Sequence, residues 1–343
     1  MLEYAALVLP SANRVYAAAT PRLIEAELKV IAATHRELAL GDVRTEQIAG
    51  HPYVVFSGPA LEPVDHSALA RLSALYALFA REGDLLRPVE LDPARALDDD
   101  IVTIQRYAGK TNELFTRLLI NVTLASSHAP QRPRRRALVL DPLCGRGTTL
   151  NCSLLYGHDA AGVELETREF DGYCTFLLTY LQRKRIKHDV EIRPGRAGRG
   201  KVRRLLVRFS ADPAAYRARD TQVVNVVNGD TSQTGSLFGA GRVDAIVTDA
   251  PYGVQHGSRH GQQRRSRSPL ELIEQALPGW LEVLRAGGPI GIAFNTLVTE
   301  RAQLAAVLAD AGLEVLGGPG YDDFAHRVDQ GIVRDLVVAR RNS

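Results

Sequence analysis

Cysteine, methionine and tryptophan are scarce: three, one and one in 343 residues. Cys144, Cys152 and Cys174 fall in one stretch but form no C-x-x-C pair and lack a flanking histidine pair. That spacing argues against zinc and against a disulfide framework, and suits reduced thiols in a cytosol. No apolar run approaches the roughly 18 residues that cross a bilayer, and the N-terminus lacks a basic region followed by an apolar one, so the expected location is cytoplasmic. An excess of one charge is missing too. Lys and Arg number 42 against 39 Asp and Glu, a net charge of +3, so the placement of basic residues says more about partners than their sum. What remains is ordinary globular composition, 45% hydrophobic and 24% charged. At roughly 100–200 residues per domain the length suggests about two domains.

The chain is organised around Arg136-Ala-Leu-Val-Leu-Asp141-Pro-Leu-Cys-Gly145-Arg-Gly147-Thr-Thr149. Four apolar residues ending in an aspartate read as a parallel strand buried on both faces, running into a Gly-rich turn and a helix. Gly145 and Gly147 permit a sharp turn and close approach of a ligand, and Thr148 or Thr149 is placed to cap the helix. The natural inference is a nucleotide-type site at the strand's carboxyl end. Asp141 narrows it: a carboxylate there repels a pyrophosphate but favours the ammonium and sulfonium of S-adenosylmethionine.

Further strands follow at regular intervals. Gly157–Glu164 ends in an acid at a spacing suited to ribose hydroxyls, with Glu164 the first choice and Glu166 the second; the same acids would also favour the start of the helix from Arg168 to Arg185. Val223–Val227 leads to Asp230. Arg242–Asp249 is a fourth buried strand running into Ala250-Pro251-Tyr252. Pro289–Phe294, Leu313–Leu316 and Ile332–Val338 complete the sheet, with helices at Leu270–Arg285 and Val298–Ala311. Before the Gly-rich turn, Tyr107-Ala-Gly-Lys110-Thr111-Asn112 leads into a helix with Asn112 as its cap and Phe115, Leu118, Leu119 and Val122 on its apolar face.

Residues 1–100 read as β-α-β-β-α-β: strands at Tyr4–Leu9, Arg36–Ile48, Pro52–Phe56 and Leu85–Leu91, a helix opening at Pro21, and a second at His66–Ala80 with Leu69, Leu72, Leu75 and Leu78 at helical spacing. This order suits a small ferredoxin-like α+β domain. Two basic stretches stand out. Residues 183–208 carry eleven Lys and Arg with interspersed glycines, and Arg259, Arg264, Arg265 and Arg267 follow the Asp-Ala-Pro-Tyr segment. Both suit a surface that tracks a nucleic-acid backbone, with few aromatics for base stacking. Arg132, Arg134, Arg135 and Arg136 form a shorter run.

The Asp-Pro-Leu-Cys-Gly-Arg-Gly-Thr-Thr run resembles the first motif of S-adenosylmethionine-dependent methyltransferases acting on exocyclic amines. Asp249-Ala-Pro-Tyr252 resembles their Asp/Asn/Ser-Pro-Pro-aromatic motif, departing from it at Ala250, where proline is usual. In this order the motifs cover residues 101–343 and are similar to the tRNA guanine-N2 methyltransferases, whose better-known members carry a THUMP module that the first hundred residues are too short to add. The resemblance implies an α/β, Rossmann-like sheet of seven strands with the last antiparallel, S-adenosylmethionine as cofactor and an RNA substrate, tRNA foremost. It further implies that Lys110, Thr111 and Asn112 close over the methionine end of the cofactor, that Asp230 meets the adenine amino group, and that Asp249 and the Ala250 carbonyl accept the amine hydrogens while Pro251 fixes the backbone and Tyr252 stacks on the base. An aryl amine is a poor nucleophile because its lone pair is delocalised; such acceptors restore it. Three alternatives stay open: a DNA amino-methyltransferase with the same motifs, a protein-glutamine methyltransferase, against which Asp249 in place of asparagine counts, and a nucleic-acid-binding module that keeps the cofactor without turnover.

Overall fold

The computed structural model describes residues 1–11, 13–61, 68–92, 95–107, 109–129, 136–197, 200–251 and 268–342, with backbone alone at residues 37, 196–197 and 200–201. The first of two sheets is antiparallel, with strand order β2-β3-β1-β4-β5. Its strands are β1 (Leu2–Val8), β2 (Gly41–Ile48), β3 (His51–Gly58), β4 (Leu75–Glu82) and β5 (Leu85–Val89). Helix α1 (Arg14–Thr34) joins β1 to β2, and β3 lies between them, the split βαβ arrangement expected from the sequence.

Three details of this unit differ from expectation. The strand expected from Arg36 begins at Gly41, because Arg36–Leu38 form a 3-10 turn that ends on Ala39 in the left-handed conformation. Helix α1 begins at Arg14, not Pro21, because Asn13 Oδ1 accepts from the amides of Val15 and Tyr16 at 3.0 and 3.2 Å. Among the described residues of the expected helix at His66–Ala80, helix is confined to 68–69. Its second half is β4, where the buried Leu78 and Ala80 alternate with the less buried Ala77, Phe79 and Arg81, and which pairs with β1 on one side and β5 on the other. Leucines three apart match a helix, but two antiparallel partners impose the period of two.

The second sheet runs β13-β15-β12-β11-β6-β7-β10-β9-β8, with β14 paired to β15. Its strands are β6 (Leu138–Asp141), β7 (Asp159–Glu164), β8 (Lys187–Ala197), β9 (Gly200–Ser210), β10 (Gln222–Asn228), β11 (Ala245–Asp249), β12 (Pro289–Asn295), β13 (Leu313–Val315), β14 (His326–Arg327) and β15 (Val333–Arg341). Strands β12, β11, β6, β7 and β10 are parallel neighbours, and β15 is antiparallel to β12. With β13 these make the expected seven-stranded Rossmann-like sheet. The basic stretch after residue 183 is an ordered hairpin, β8–β9, hydrogen-bonded to β10 along the sheet's edge.

Helices cover both faces of this sheet: α2 (Asp100–Thr103), α3 (Glu113–Ala125), α4 (Thr148–Leu155), α5 (Thr167–Arg183), α6 (Pro213–Arg217), α7 (Thr234–Leu237), α8 (Pro269–Val283) and α9 (Arg301–Asp310). Alternate residues of each strand point to opposite sides. Val139, Val247 and Ala293 join Phe115, Leu118, Leu150 and Phe170 under α3, α4 and α5, whereas Leu140, Ile246 and Ile292 meet Trp280 and Leu304 under α8 and α9. The first of these cores continues without a break into the N-terminal sheet, through Leu23, Leu28, Val54 and Phe56.

Where the two sheets meet lies a buried carboxylate. Glu27 of α1 accepts from Ser73 Oγ (2.6 Å), the Ser73 amide and Asn121 Nδ2 of α3 (2.8 Å). Burial pushes its pKa up to about 7, with those donors pulling the other way. The folded protein therefore holds a proton here that the unfolded chain has already released, so stability falls as pH rises from the ordinary Glu value near 4.5 through 7. Urea unfolding at pH 5 and pH 8 is expected to show Glu27→Gln flattening a loss of about 3 kcal/mol. An unchanged pH slope in the variant would refute this.

Candidate functional site

The carboxyl ends of β11, β6, β7 and β10 stand side by side in that order. Each bears or leads to an acid: Asp249, Asp141, Glu164 and Asp230. At about 4.8 Å between strands the row spans about 14 Å.

Asp141 is 3% exposed. Its Oδ1 accepts from Thr248 Oγ1 at 2.8 Å and the Leu143 amide at 3.1 Å, and the Thr149 hydroxyl also donates to the carboxylate. Burial raises its pKa to about 6 against these donors, and the negative charge of Asp249 adds to the rise. The Thr248–Asp141 bond joins the two motifs that lie a hundred residues apart in the sequence.

The Gly-rich turn takes the left-handed conformation at Gly145 (φ 50°) and Gly147 (φ 79°). A side chain at Gly145 would enter open space, so the backbone there is accessible; one at Gly147 would run into the Tyr173 ring. Gly147 itself opens α4, without a side-chain cap. The threonines are occupied elsewhere: Thr148 Oγ1 pairs with Tyr107 OH at 2.6 Å, and Thr149 serves Asp141. Glu164 bridges the turn, accepting from the Gly145 amide at 2.9 Å and the Glu166 amide at 2.6 Å. Burial raises its pKa, these amides oppose the rise, and Glu169 and Asp141 reinforce it. Glu166 begins α5 with no side-chain cap. Asp230 is exposed and caps the turn at Thr231–Gln233 through the Ser232 amide (2.9 Å).

The lead-in segment lies at the β6–β11 end of this row. Tyr107 meets Thr148 at one end, and Thr111 Oγ1 donates to Asp249 Oδ2 at 2.5 Å at the other. Asn112 Oδ1 caps α3 through the Leu114 and Phe115 amides, as expected. Lys110 Nζ donates to the Val102 carbonyl at 2.5 Å and pairs with Glu113 at 3.7 Å, so its ammonium ties the segment to α2.

Asp249, Ala250 and Pro251 close β11; Tyr252 lies outside the described residues, as do the basic residues of 259–267 and Arg132, Arg134 and Arg135. Ala250 is 2% exposed and its amide donates to the Ala293 carbonyl of β12 at 2.8 Å. A proline here could not make that bond. The alanine is therefore pinned to the neighbouring strand by its N–H.

Sequence reasoning missed Arg334, at the start of β15. It is 3% exposed, its Nη2 is 3.6 Å from Asp249 Oδ2, and its guanidinium lies 4.7 Å from the centre of the Phe115 ring. His326 touches the same ring, and burial lowers its pKa to about 4, so the imidazole beside this guanidinium is neutral. Nothing local marks Arg334, because only the sheet order brings it to Asp249.

The basic stretch divides. Lys187 pairs with Ser210, whose neighbour Phe209 pairs with Gln222 at the start of β10, while Arg203 pairs with Asn228 at its end. Arg183, Arg185, Lys187 and Arg208 therefore sit toward the edge opposite the acids, and Arg193 and Arg203 toward the edge the acids occupy. Several charges are met within the chain: Arg193 by Glu191 (3.1 Å), Arg203 by Asp171 (2.8 Å) and Lys184 by Asp98 (2.8 Å). Arg204 turns inward to the Leu237 carbonyl and the Phe238 ring. Among the described residues no three His, Cys, Asp or Glu side chains gather to hold a metal ion, and no helix is long and apolar enough to cross a membrane.

No protein-family profile matches the chain, and no curated protein matches it in sequence. Solved structures do. A TehB-like SAM-dependent methyltransferase from Corynebacterium glutamicum is 18% identical, covering 66% of this chain and 85% of its own, with a TM-score of 0.36. A putative RNA methyltransferase from Pyrococcus horikoshii is 14% identical over 68% and 86%, at a TM-score of 0.41. An rRNA methyltransferase from Streptomyces viridochromogenes is 13% identical over 71% and 91%, also at 0.41. Likeness at this level says nothing about what this chain binds.

Proposed function

We propose that this chain is an S-adenosylmethionine-dependent methyltransferase acting on the exocyclic amine of a nucleobase in RNA, with guanine N2 in tRNA as the first substrate to test. The observation that carries the reading is the junction of the two motifs: Asp249 and Asp141 end adjacent strands, tied through Thr248, with the open Gly145 turn beside them.

The donor set fits the cofactor. A row of carboxylates, two of them with raised pKa values, favours a cation over a phosphate. Glu164 lies one strand from the turn, where an acid reaches ribose hydroxyls, and Asp230 one strand further, toward an adenine amino group. Gly145 supplies close backbone approach, and Lys110 to Asn112 form the flap over the methionine end. When bound, the cofactor supplies a methyl group on a sulfonium centre. Asp249 and the Ala250 carbonyl accept the amine's hydrogens and free its lone pair, and Pro251 and Tyr252 set and stack the base. Positioning and charge placement carry the rate.

RNA would be gripped from the site's own edge, by Arg193 and Arg203 of the hairpin, and not from Arg183, Arg185 or Lys187 at the opposite one. Radiolabelled methyl transfer to total tRNA, ribosomal RNA and genomic DNA, offered separately and followed by nucleoside analysis, tests the reading. N2-methylguanosine in tRNA is the expected product; label confined to DNA would replace RNA as the substrate, and no label with cofactor bound would leave a binding role.

Cofactor affinity should also depend on pH. A cation is held by the ionised carboxylates, so affinity rises as pH climbs through about 6, where Asp141 ionises, and falls in acid. Calorimetry at pH 5.5 and pH 8 measures this, and equal affinities would remove Asp141 and Glu164 from the cofactor site.

A further inference from the structure

We propose that Arg334, acting with Thr111, is a positioning residue that holds the Asp249 carboxylate in place for the amine; the inference rests on the methyl-transfer reading above. Both side chains address the same oxygen, Oδ2: Thr111 Oγ1 donates to it at 2.5 Å, and Arg334 Nη2 stands 3.6 Å away. They come from opposite directions in the fold. Thr111 belongs to the lead-in segment before α3, whereas Arg334 lies opposite Asn295 on β15 and reaches across the whole width of β12 to β11. Two strand spacings amount to about 10 Å, a span that only a long side chain covers.

The guanidinium is built in, not swept over a surface. It is 3% exposed, with the Phe115 ring against it at 4.7 Å. The neighbouring imidazole, His326, is kept neutral by burial first, and the positive charges of Arg334 and Arg22 push its pKa the same way. A buried guanidinium needs an anion near it, and Asp249 supplies that charge. A carboxylate held through one oxygen by a hydroxyl and a fixed cation cannot swing about its last bond, so the hydrogens of an incoming amine meet an acceptor already in place. Such preorganisation raises turnover without tightening substrate binding.

Wild-type protein, Thr111→Val, Arg334→Lys and Arg334→Met are compared in methyl transfer to the labelled RNA pool, in calorimetric binding of S-adenosylhomocysteine, and in melting temperature. Positioning predicts that kcat falls ~10-fold in Thr111→Val and ~100-fold in Arg334→Met. KM for RNA stays within about threefold in both variants, and affinity for S-adenosylhomocysteine does so in Arg334→Met, which is not part of the flap; Thr111→Val, within the flap, is read from kcat at saturating cofactor. Arg334→Lys, which keeps the charge, recovers part of the loss. Thr111→Val, at a partly exposed site, decides the matter should Arg334→Met fail to fold. Unchanged kcat in Thr111→Val and Arg334→Lys overturns the inference while leaving the methyltransferase reading intact. Turnover, cofactor affinity and melting temperature falling together in all variants also overturns it, in favour of a purely structural role. Wild-type protein that binds S-adenosylhomocysteine but labels no pool overturns the functional reading, and this inference with it.

Discussion

Asp249→Ala should lower kcat by on the order of 10²–10³ while S-adenosylhomocysteine still binds, which is the scale of losing one preorganised group at a reacting centre. Asp249 is the only acid of the row that is both at the strand tip of the second motif and bonded to the lead-in segment. Asp249→Asn is the sharper variant. It keeps the shape and one oxygen for Thr111 Oγ1, but it removes the charge opposite Arg334. Removing a negative charge beside that buried guanidinium should cost about 1–3 kcal/mol of stability, so Asn lowers the melting temperature as well as turnover. Methyl transfer retained at wild-type rate in both variants would dismiss Asp249 as the amine's acceptor. No transfer by wild-type protein on any substrate pool, with cofactor bound, would return the protein to the class of binding modules.

Gly147→Ala is expected to be the most damaging single change at the cofactor turn. Its φ of 79° is unfavourable for any L side chain, at a cost of about 1 kcal/mol. The new methyl also lands on the ring of Tyr173, which is fully buried against Gly147 and cannot retreat. Overpacking of this kind typically costs a further 1–3 kcal/mol, and relief comes only by moving the turn. That movement carries the Gly145 amide away from Glu164, so cofactor affinity and stability fall together. Gly147→Ala with Tyr173→Leu separates the two contributions: removing the ring should restore the packing part and leave the φ part. Gly145→Ala is the internal control for stability alone: its methyl meets no protein atom, so its melting loss is strain only, while cofactor affinity falls because the methyl enters the space left for the ligand. A Gly147→Ala protein that melts and binds like wild type would show that the turn is not rigid.

Most of the second sheet is legible in the sequence because its strands are buried on both faces, and their apolar runs have no competing explanation. β12, with all seven residues buried, is the extreme case. The acids at the strand tips are legible for the same reason, since each interrupts such a run. The N-terminal sheet is harder. β4 reads as a helix because Leu69, Leu72, Leu75 and Leu78 sit three apart, and only pairing with β1 and β5 turns Leu78 and Ala80 into one face of a strand. At the site, the roles of threonine mislead. Thr148 and Thr149 are cap-forming residues at a helix start, yet the glycine before them takes that position and their hydroxyls reach Tyr107 and Asp141. Arg334 has no local signature whatever. A lone arginine entering a strand becomes meaningful only once β12 is known to lie between it and Asp249. In the basic stretch after residue 183 the glycines leave open a mobile loop or a hairpin; pairing with β10 makes it a hairpin and divides its charges between two opposite edges.

The core that runs unbroken from Phe56 and Leu28 to Phe115 and Phe170 couples the two sheets, and the expected result of a melting experiment is that they unfold together. Heat or denaturant should then meet one transition, not two, and a fragment beginning near residue 101 would leave the α1-facing flank of α3 uncovered, with Asn121 stripped of Glu27. The N-terminal sheet is thus as much a wall of the body that carries the acids as an appendage to it: grafting it onto another protein, or trimming it away, would change the ground on which Phe115, and through it Arg334, is set.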